Sequence, residues 1–334
     1  MAVFLGIDVG GSKTHALLAD ENGSVLGFGE AGPGNHETVG YDGLVDAVQT
    51  AFLEAASGKK IKPREIKGAG FGIAGYDWPS EREATLDAVS VLGLSCPIKV
   101  VNDAVLGLYA GSPKGWGVNL IAGTSNNCYG CDASGNEGRV TGAGMFFGEF
   151  GGAWEIVVKA VHAVNYQWIK RGPETKLSER FMEITGTSSL AQLMESLVME
   201  EHIVNPAWAV DVFQIAGQGD AAALEIIQWA ADELSALASA VIRQLHFETV
   251  EFDLVLSGSL FQKDSTLYKP VIKGILETAP SAHFIILDVP PVSGAVFLGM
   301  SAANLKIGDC FCKLRNTIKK NIPSSELLPD TGIK

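Results

Sequence analysis

Basic residues are in short supply: 25 Lys and Arg stand against 38 Asp and Glu, giving a formal net charge of −13 and a pI near 4.9. Nucleic-acid footprints are basic, so this balance argues against binding a phosphate backbone. A small anion is still compatible, because metal ions and backbone dipoles neutralise it locally. Long apolar runs are missing too, and none approaches the roughly 20 residues that cross a bilayer. The start, Met-Ala-Val-Phe-Leu-Gly-Ile-Asp, has no basic n-region and meets an acid too early for a signal peptide. There are only five cysteines, an odd number that does not read as a disulfide framework. The expectation is a cytoplasmic protein with no nucleic-acid or membrane partner. Two nucleotide signatures are also missing. No Gly-x-Gly-x-x-Gly follows the first strand, and no Gly-x-x-x-x-Gly-Lys-Ser/Thr occurs, which weakens dinucleotide and P-loop readings.

What is present is a globular composition, 47% hydrophobic and 19% charged with 39 glycines, in a chain of 334 residues, long enough that two domains are the default. Strand-like runs at 3–9, 14–20 and 24–30 open it, the last two joined by the Asn22-Gly23 turn of a hairpin. A helix is predicted near 41–56 with Leu44, Val45, Val48, Phe52 and Leu53 on one face, then a buried strand at 66–73. Pro79-Ser80-Glu81-Arg82-Glu83 reads as a capping box opening a helix over 80–92. A short strand at 98–101 ends at Asn102-Asp103. From 117 the theme restarts: strand, glycine–hydroxyl turn, return strand. Helices follow at about 152–170, 175–185, 188–200, 206–217 and 221–246, then a strand at 252–256, a helix near 265–279 and a strand at 283–287. A final Ala/Gly-rich helix spans 293–305, with small residues suited to close packing. The tail after 306 shows little pattern and is expected to be loosely attached.

Three turns and one acid carry candidate chemistry. Asp8 ends an apolar run, where an unpaired carboxylate is costly to desolvate, and Gly10 and Gly11 follow at once. A carboxylate beside bare amide donors suits a metal-bound polyphosphate, the acid serving the cation and the N–H groups the anion. The alternative is an ordinary hairpin whose Asp caps the turn. Gly123-Thr124-Ser125-Asn126 is a second candidate phosphate clasp, or a plain hairpin turn. Ser257-Gly258-Ser259 suits a ribose or base, or a capped strand-to-helix loop. Asp103, where a strand gives way to a helix, is placed either for general-base work or as a helix N-cap. Cys128 and Cys131 have CxxC spacing, but on a strand their side chains point to opposite faces.

Taken in order, Ile7-Asp-Val-Gly-Gly-Ser-Lys-Thr14, Ile121-Ala-Gly-Thr-Ser-Asn126, Leu256-Ser-Gly-Ser-Leu260 and Ser293-Gly-Ala-Val-Phe-Leu-Gly299 resemble the motifs of the sugar kinase/actin/heat-shock ATPase superfamily. Gly34-Asn35-His36, Asn102-Asp103-Ala104, Gly123-Thr-Ser-Asn-Asn-Cys128 and Gly148-Glu-Phe-Gly-Gly-Ala-Trp154 narrow the resemblance to N-acetylglucosamine kinases and their BadF/BadG-type ATPase relatives. That resemblance implies an α/β fold of two ribonuclease-H-like domains around a central cleft. Residues 1–116 would form the first domain, joined by the helix at 293–306. Residues 117–292 would form the second, with a helical insertion at about 154–246, and 307–334 the tail. It implies ATP and Mg²⁺ as cofactors and phosphorylation of an amino sugar, N-acetylglucosamine at its 6-hydroxyl, by a homodimer. By the same resemblance Asp103 is the base, and Asn35, His36, Asn126, Gly148 and Glu149, with Asp103, line the sugar pocket. Gly10, Gly11, Ser12, Lys13, Thr14, Gly123, Thr124, Ser125, Gly258 and Ser259 would hold ATP, and Asp8 the magnesium through water. Departures bear on the sugar: an acid, Glu37, follows Asn35-His36 where relatives carry an aromatic, and Ala143 stands where a tryptophan is common. These changes keep glucosamine open as a cationic substrate. Two further classes resemble this one, an activator ATPase of a dehydratase or reductase and an ATP-binding sensor.

Overall fold

Two turns decide how the first residues fold in the computed structural model, which describes residues 1–261, 266–308 and 310–322. Gly10 N–H donates to the Lys13 carbonyl at 2.8 Å, closing β1 (Val3–Val9) onto β2 (Thr14–Asp20). Gly23, at φ 79°, lets β2 turn back into β3 (Val25–Ala31), while the Asp20 carboxylate accepts from the N–H groups of Asn22 and Ser24. Helix α1 (His36–Ser57) starts five residues before the predicted 41, because Asn35 caps it through the Glu37 N–H and Gly40, at φ 72°, absorbs a kink. It buries Leu44, Val48 and Phe52 as expected, but Leu53 is exposed. Next come β4 (Ile66–Ile73), α2 (Arg82–Ser90), β5 (Ile98–Asn102) and α3 (Ala104–Gly111). The cap before α2 differs from the predicted Ser80/Glu83 box. The Glu81 carboxylate accepts from the N–H groups of Asp77 and Trp78 at 2.9 and 2.7 Å, and Pro79–Glu81 form a 3₁₀ turn, because a proline at the first position needs no N–H partner.

The second half repeats the plan with β6 (Gly117–Ala122), β7 (Asn126–Cys131) and β8 (Glu137–Arg139). Then come the helices α4 (Ala153–Trp168), α5 (Lys176–Thr185), α6 (Leu190–Val198), α7 (Ala209–Gly217) and α8 (Ala221–Gln244). β9 (Phe252–Ser257), α9 (Tyr268–Thr278), β10 (Ala282–Ile286), α10 (Val292–Ala302) and α11 (Cys310–Asn321) complete it. Residue 265, the predicted start of the helix before β10, lies outside the described residues. The first sheet runs β3-β2-β1-β4-β5 and the second β10-β9-β6-β7-β8. Read from its antiparallel edge, the second is the first over again. Each has a three-stranded antiparallel meander whose first strand pairs in parallel with a fourth strand, which in turn pairs in parallel with a fifth. The fold is thus α/β, two mixed sheets of one topology with a large helical layer packed on the second.

Separate cores sit under each sheet, Leu5, Ile7, Phe71 and Phe52 in one, Val118, Leu256, Ile156 and Leu234 in the other. α10 lies on β1, β4 and α3, so close that a Cβ at Gly294 would overlap the Leu106 carbonyl oxygen. The stretch after 306 is not loosely attached where it is described. α11 buries Cys310, Phe311, Leu314 and Ile318 against Phe4, Leu17 and α10, and Phe311 stacks on Phe297 at 5.1 Å between centroids. Its amphipathic spacing is only three turns long, short enough to pass unnoticed at a chain end. Residues 323–334 lie outside the described part.

Candidate active site

The last rungs of the two hairpins face each other across a cavity of about 340 Å³. One wall is the turn after β1, with Gly10, Gly11, Ser12 and Lys13; another is the turn after β6, with Gly123, Thr124 and Ser125; a third is Ser257, Gly258 and Ser259 after β9. Asp8 and Asp103 line it too. A Cβ built on Gly11 or Gly123 would meet no atom of the described residues within 4 Å, so both glycines leave bare backbone on the cavity side. Gly258 is a glycine for another reason. It sits at φ 97°, and a side chain there would overlap the backbone of Ala122. This ties the third wall to the second, and Leu260 N–H adds a bond to the Ala122 carbonyl at 3.0 Å. The second turn is braced from behind by the first turn of α4, where Ala153 and Trp154 donate to the carbonyls of Gly123 and Thr124 at 2.9 and 3.1 Å.

Both acids are raised. Burial, with the Asp103 charge added, pushes Asp8 up to about 8. Burial, then the charge of Asp77, pushes Asp103 up to about 6, while the N–H groups of Ala104 and Asp103 pull the other way. Neither carboxylate makes an ion pair with a described residue. Asp103 occupies the N-cap position of α3 but makes no side-chain cap bond. Asn102 does that work instead, its Oδ1 accepting from Ala104 N–H at 2.9 Å, so the Asp103 carboxylate stays available.

Strand register decides which expected residues reach this cavity. Asp8 pairs with His15, and Val9 with Thr14. Side chains alternate across a strand, so His15 lines the cavity, whereas Thr14 is fully buried beside Val9 and Gly34. Asn126 pairs with Ala122 and shares the core-facing side with Cys128; its amide lies near Glu155 of α4. Asn127 faces the other way, into a second cleft of about 390 Å³ that also takes in Asp77, Asn102 and Arg139. The same parity separates Cys128, inside the helical core, from Cys131, beside Tyr129 and Val255. None of the five cysteines, all of them described, is in a disulfide.

Asn35 and His36 stand at the start of α1 against the loop after β4. Gly75 packs on both, and the His36 ring stacks on Tyr41 at 4.5 Å with Glu81 3.7 Å from its Nε2. Gly148 takes φ 77°. The Glu149 carboxylate is turned inward: it accepts from Thr141 N–H and Oγ1 at 2.6 and 2.8 Å and from Gly144 N–H at 3.2 Å, pinning the loop that carries exposed Phe146. Asp77 is the acid that sequence reasoning passed over. Its Oδ1 accepts from Asn102 Nδ2 at 2.9 Å, and burial, then Glu37 and Glu81, raise its pKa, with Arg139 and His36 opposing. Arg139 of β8 donates to the Asp77 carbonyl and lies over the Trp78 ring, bridging the two sheets. The available signal was positional, since Asp77, like Asp103, comes shortly after a strand of the first sheet. No cluster of three or more metal-ligating side chains occurs among the described residues.

The sequence profile of the BadF/BadG/BcrA/BcrD ATPase family matches residues 5–299. The chain is 27% identical over 305 residues to the N-acetylmuramic acid/N-acetylglucosamine kinase of Clostridium acetobutylicum, covering 90% of this chain and 99% of that protein. It is 26% identical over 325 residues to the N-acetyl-D-glucosamine kinase of Dictyostelium discoideum, covering 90% and 98%. Among solved structures, a ROK family glucokinase from Streptomyces griseus, in complex with glucose and AMPPNP, superposes with a TM-score of 0.57 at 18% identity over 91% of this chain and 99% of that one. A hexokinase from Schistosoma mansoni complexed with glucose does so with a TM-score of 0.56 at 14% identity, over 91% and 85%. These two likenesses concern the fold.

Proposed function

The chain belongs to the BadF/BadG/BcrA/BcrD ATPase family, and within it we propose an ATP-dependent amino sugar kinase that transfers the γ-phosphoryl group to the 6-hydroxyl of N-acetylglucosamine. The observation that carries this reading is the Asp103 carboxylate, freed from capping by Asn102 and facing the same cavity as two bare glycine turns. The full-length similarity to two kinases named for N-acetylglucosamine supports the acceptor class.

Phosphoryl transfer asks for positioning and charge neutralisation more than for covalent help. The N–H groups of Gly11, Ser12 and Lys13 and of Thr124 and Ser125 would cradle the phosphates, while those of Gly10 and Gly123 close the turns, and the Ser257–Ser259 loop would hold the nucleoside. Asp103 would accept the proton of the attacking hydroxyl as the oxygen–phosphorus bond forms and the bond to ADP breaks. Magnesium, when bound, supplies charge neutralisation at the phosphates, and two raised, unpaired carboxylates fit a cation held by one or two acids together with phosphate and water. Asp8 would hold it. Asn35, His36, Asp77 and Asn127 would contact the sugar. Glu149 would act indirectly, by fixing the glycine-rich loop.

Glucosamine is the second reading, favoured by Glu37, Asp77 and Glu81 lying together beside Asn35 and His36. An activator ATPase needs thiols that can reach a shared cluster; Cys128 and Cys131, near the phosphate turn, are buried, and the exposed Cys312 lies on α11. An ADP-release screen with N-acetylglucosamine, glucosamine, N-acetylmannosamine, glucose and no sugar separates these. Sugar-dependent release is expected, fastest with N-acetylglucosamine; release equal with and without sugar would end the kinase reading. Gly123→Val tests the cradle. With no atom near its Cβ the melting temperature should not move, while KM for ATP should rise about tenfold, the scale of 1.4 kcal/mol. An unchanged KM would remove the turn from the phosphate site.

A further inference from the structure

Asn119 is an amide in the middle of an apolar strand, between Val118 and Leu120, and it is fully buried. A buried amide costs free energy unless both its ends are bonded. Here both are: Nδ2 donates to the Ala104 carbonyl at 2.8 Å and Oδ1 accepts from Ser257 Oγ at 2.9 Å. Only one orientation of the amide satisfies both partners, because a carbonyl can only accept. The two partners are notable for their neighbours. Ala104 directly follows Asp103, and Ser257 directly precedes Gly258. Three residues beyond Asn119 the strand ends at Ala122, where the Gly123 turn begins.

The bonding continues on the far side of Asp103. Ala104 N–H donates to Asn102 Oδ1, and Asn102 Nδ2 reaches Asp77 Oδ1, both at 2.9 Å. One hydrogen-bonded chain therefore runs from the loop after β4, around the start of α3, to the loop after β9. Asp103 is held inside it without being a member. Gly107, one turn along α3, packs directly on the Asn119 amide and leaves it no room to swing.

We propose that Asn119 is a positioning residue for the transfer reaction: by bonding Ala104 and Ser257 at once, it fixes the Asp103 carboxylate relative to the nucleotide loop. The inference rests on the kinase reading above. Along β6 the neighbours Val118 and Leu120 are apolar, and an aliphatic residue would continue that run without the two bonds. What the amide adds is a fixed distance between two loops belonging to different sheets. Displacing a reacting group by about 1 Å can cost on the order of a hundredfold in rate.

The test is a double-mutant cycle on the full-length protein, read by transfer of label from γ-labelled ATP to sugar. Asn119→Leu removes both bonds and keeps the branched outline with added bulk; Ser257→Ala removes one bond and leaves Asn119 in place. Each is expected to lower kcat, Asn119→Leu by roughly ten- to a hundredfold, with KM for the sugar within about twofold. In an Asp103→Asn background the same substitutions should cost nothing further, because the group they position is gone. A kcat within twofold of wild type overturns the proposal, and so does an equal fractional loss in both backgrounds, which is the signature of a merely structural role. If Asn119→Leu does not fold, Ser257→Ala decides by the same cycle. A wild type without sugar-dependent turnover overturns the kinase reading and this inference with it, whereas an active wild type with additive losses overturns the inference alone.

Discussion

Asp103→Asn is expected to reduce sugar phosphorylation by roughly 10²–10⁴-fold, the range over which a positioned general base contributes. Asparagine has the same shape and cannot take a proton. Asn102 rather than Asp103 caps α3, so the helix start should survive the change and ATP affinity should stay near wild type. A calorimetric Kd for ATP beside the transfer rate separates the two effects, and an unchanged rate would remove Asp103 from the chemistry. The pH profile gives a second handle. A base must be ionised to act, and burial with the Asp77 charge holds Asp103 up to about 6, so kcat/KM should rise with pH through about 6 and level off above it. Asp77 stabilises the protonated form of Asp103; in Asp77→Asn that charge is gone, and the rising limb should move to lower pH.

How much of this was legible beforehand depends on distance along the chain. The two hairpins were legible because their signals are local: apolar alternation, Asn22-Gly23, and glycines after a strand-ending acid. Their equivalence was visible only as a shared theme, because the common strand order depends on pairings between β1 and β4 and between β6 and β9, far apart in sequence. Register was the main loss. Thr14 and Asn126 sit in turn motifs that promise a ligand, yet pairing with Val9 and Ala122 turns them to the core and puts His15 and Asn127 on the open side. Glu149 lies in a glycine-rich stretch that reads as a site, but its carboxylate has donors of its own loop within 3.2 Å, and these claim it. Asp77 and Asn119 escaped for opposite reasons. One lies in a loop with no motif around it, and the other looks like noise in a strand until Ala104 and Ser257 close on it.

Asp8→Asn should do two things that pull in opposite directions. Mg²⁺-dependent use of ATP is expected to fall on the order of a hundredfold, since the change removes one of the two carboxylates that line the cavity among the described residues. The ligand-free protein, however, should become more stable at neutral and alkaline pH. Below pH 3.8 Asp8 is protonated in both folded and unfolded chains and contributes nothing to the pH dependence. Between 3.8 and about 8 the unfolded chain ionises Asp8 while the folded one keeps the proton, so the unfolded state binds fewer protons and stability falls as pH rises. Above about 8 both forms are ionised and the penalty is constant. Asparagine carries no such penalty, and melting at pH 8 without ligand should rise by about 2 °C or more, the scale of 1 kcal/mol in a chain of this size. Magnesium with ATP should stabilise the wild type far more than the variant, because a cation favours the ionised Asp8 that folding alone opposes. A variant that matches the wild type in both melts would mean that Asp8 is neither strained nor a metal site. Higher stability together with lost activity has a single physical cause, a carboxylate kept desolvated and unpaired for a cation that arrives with the substrate.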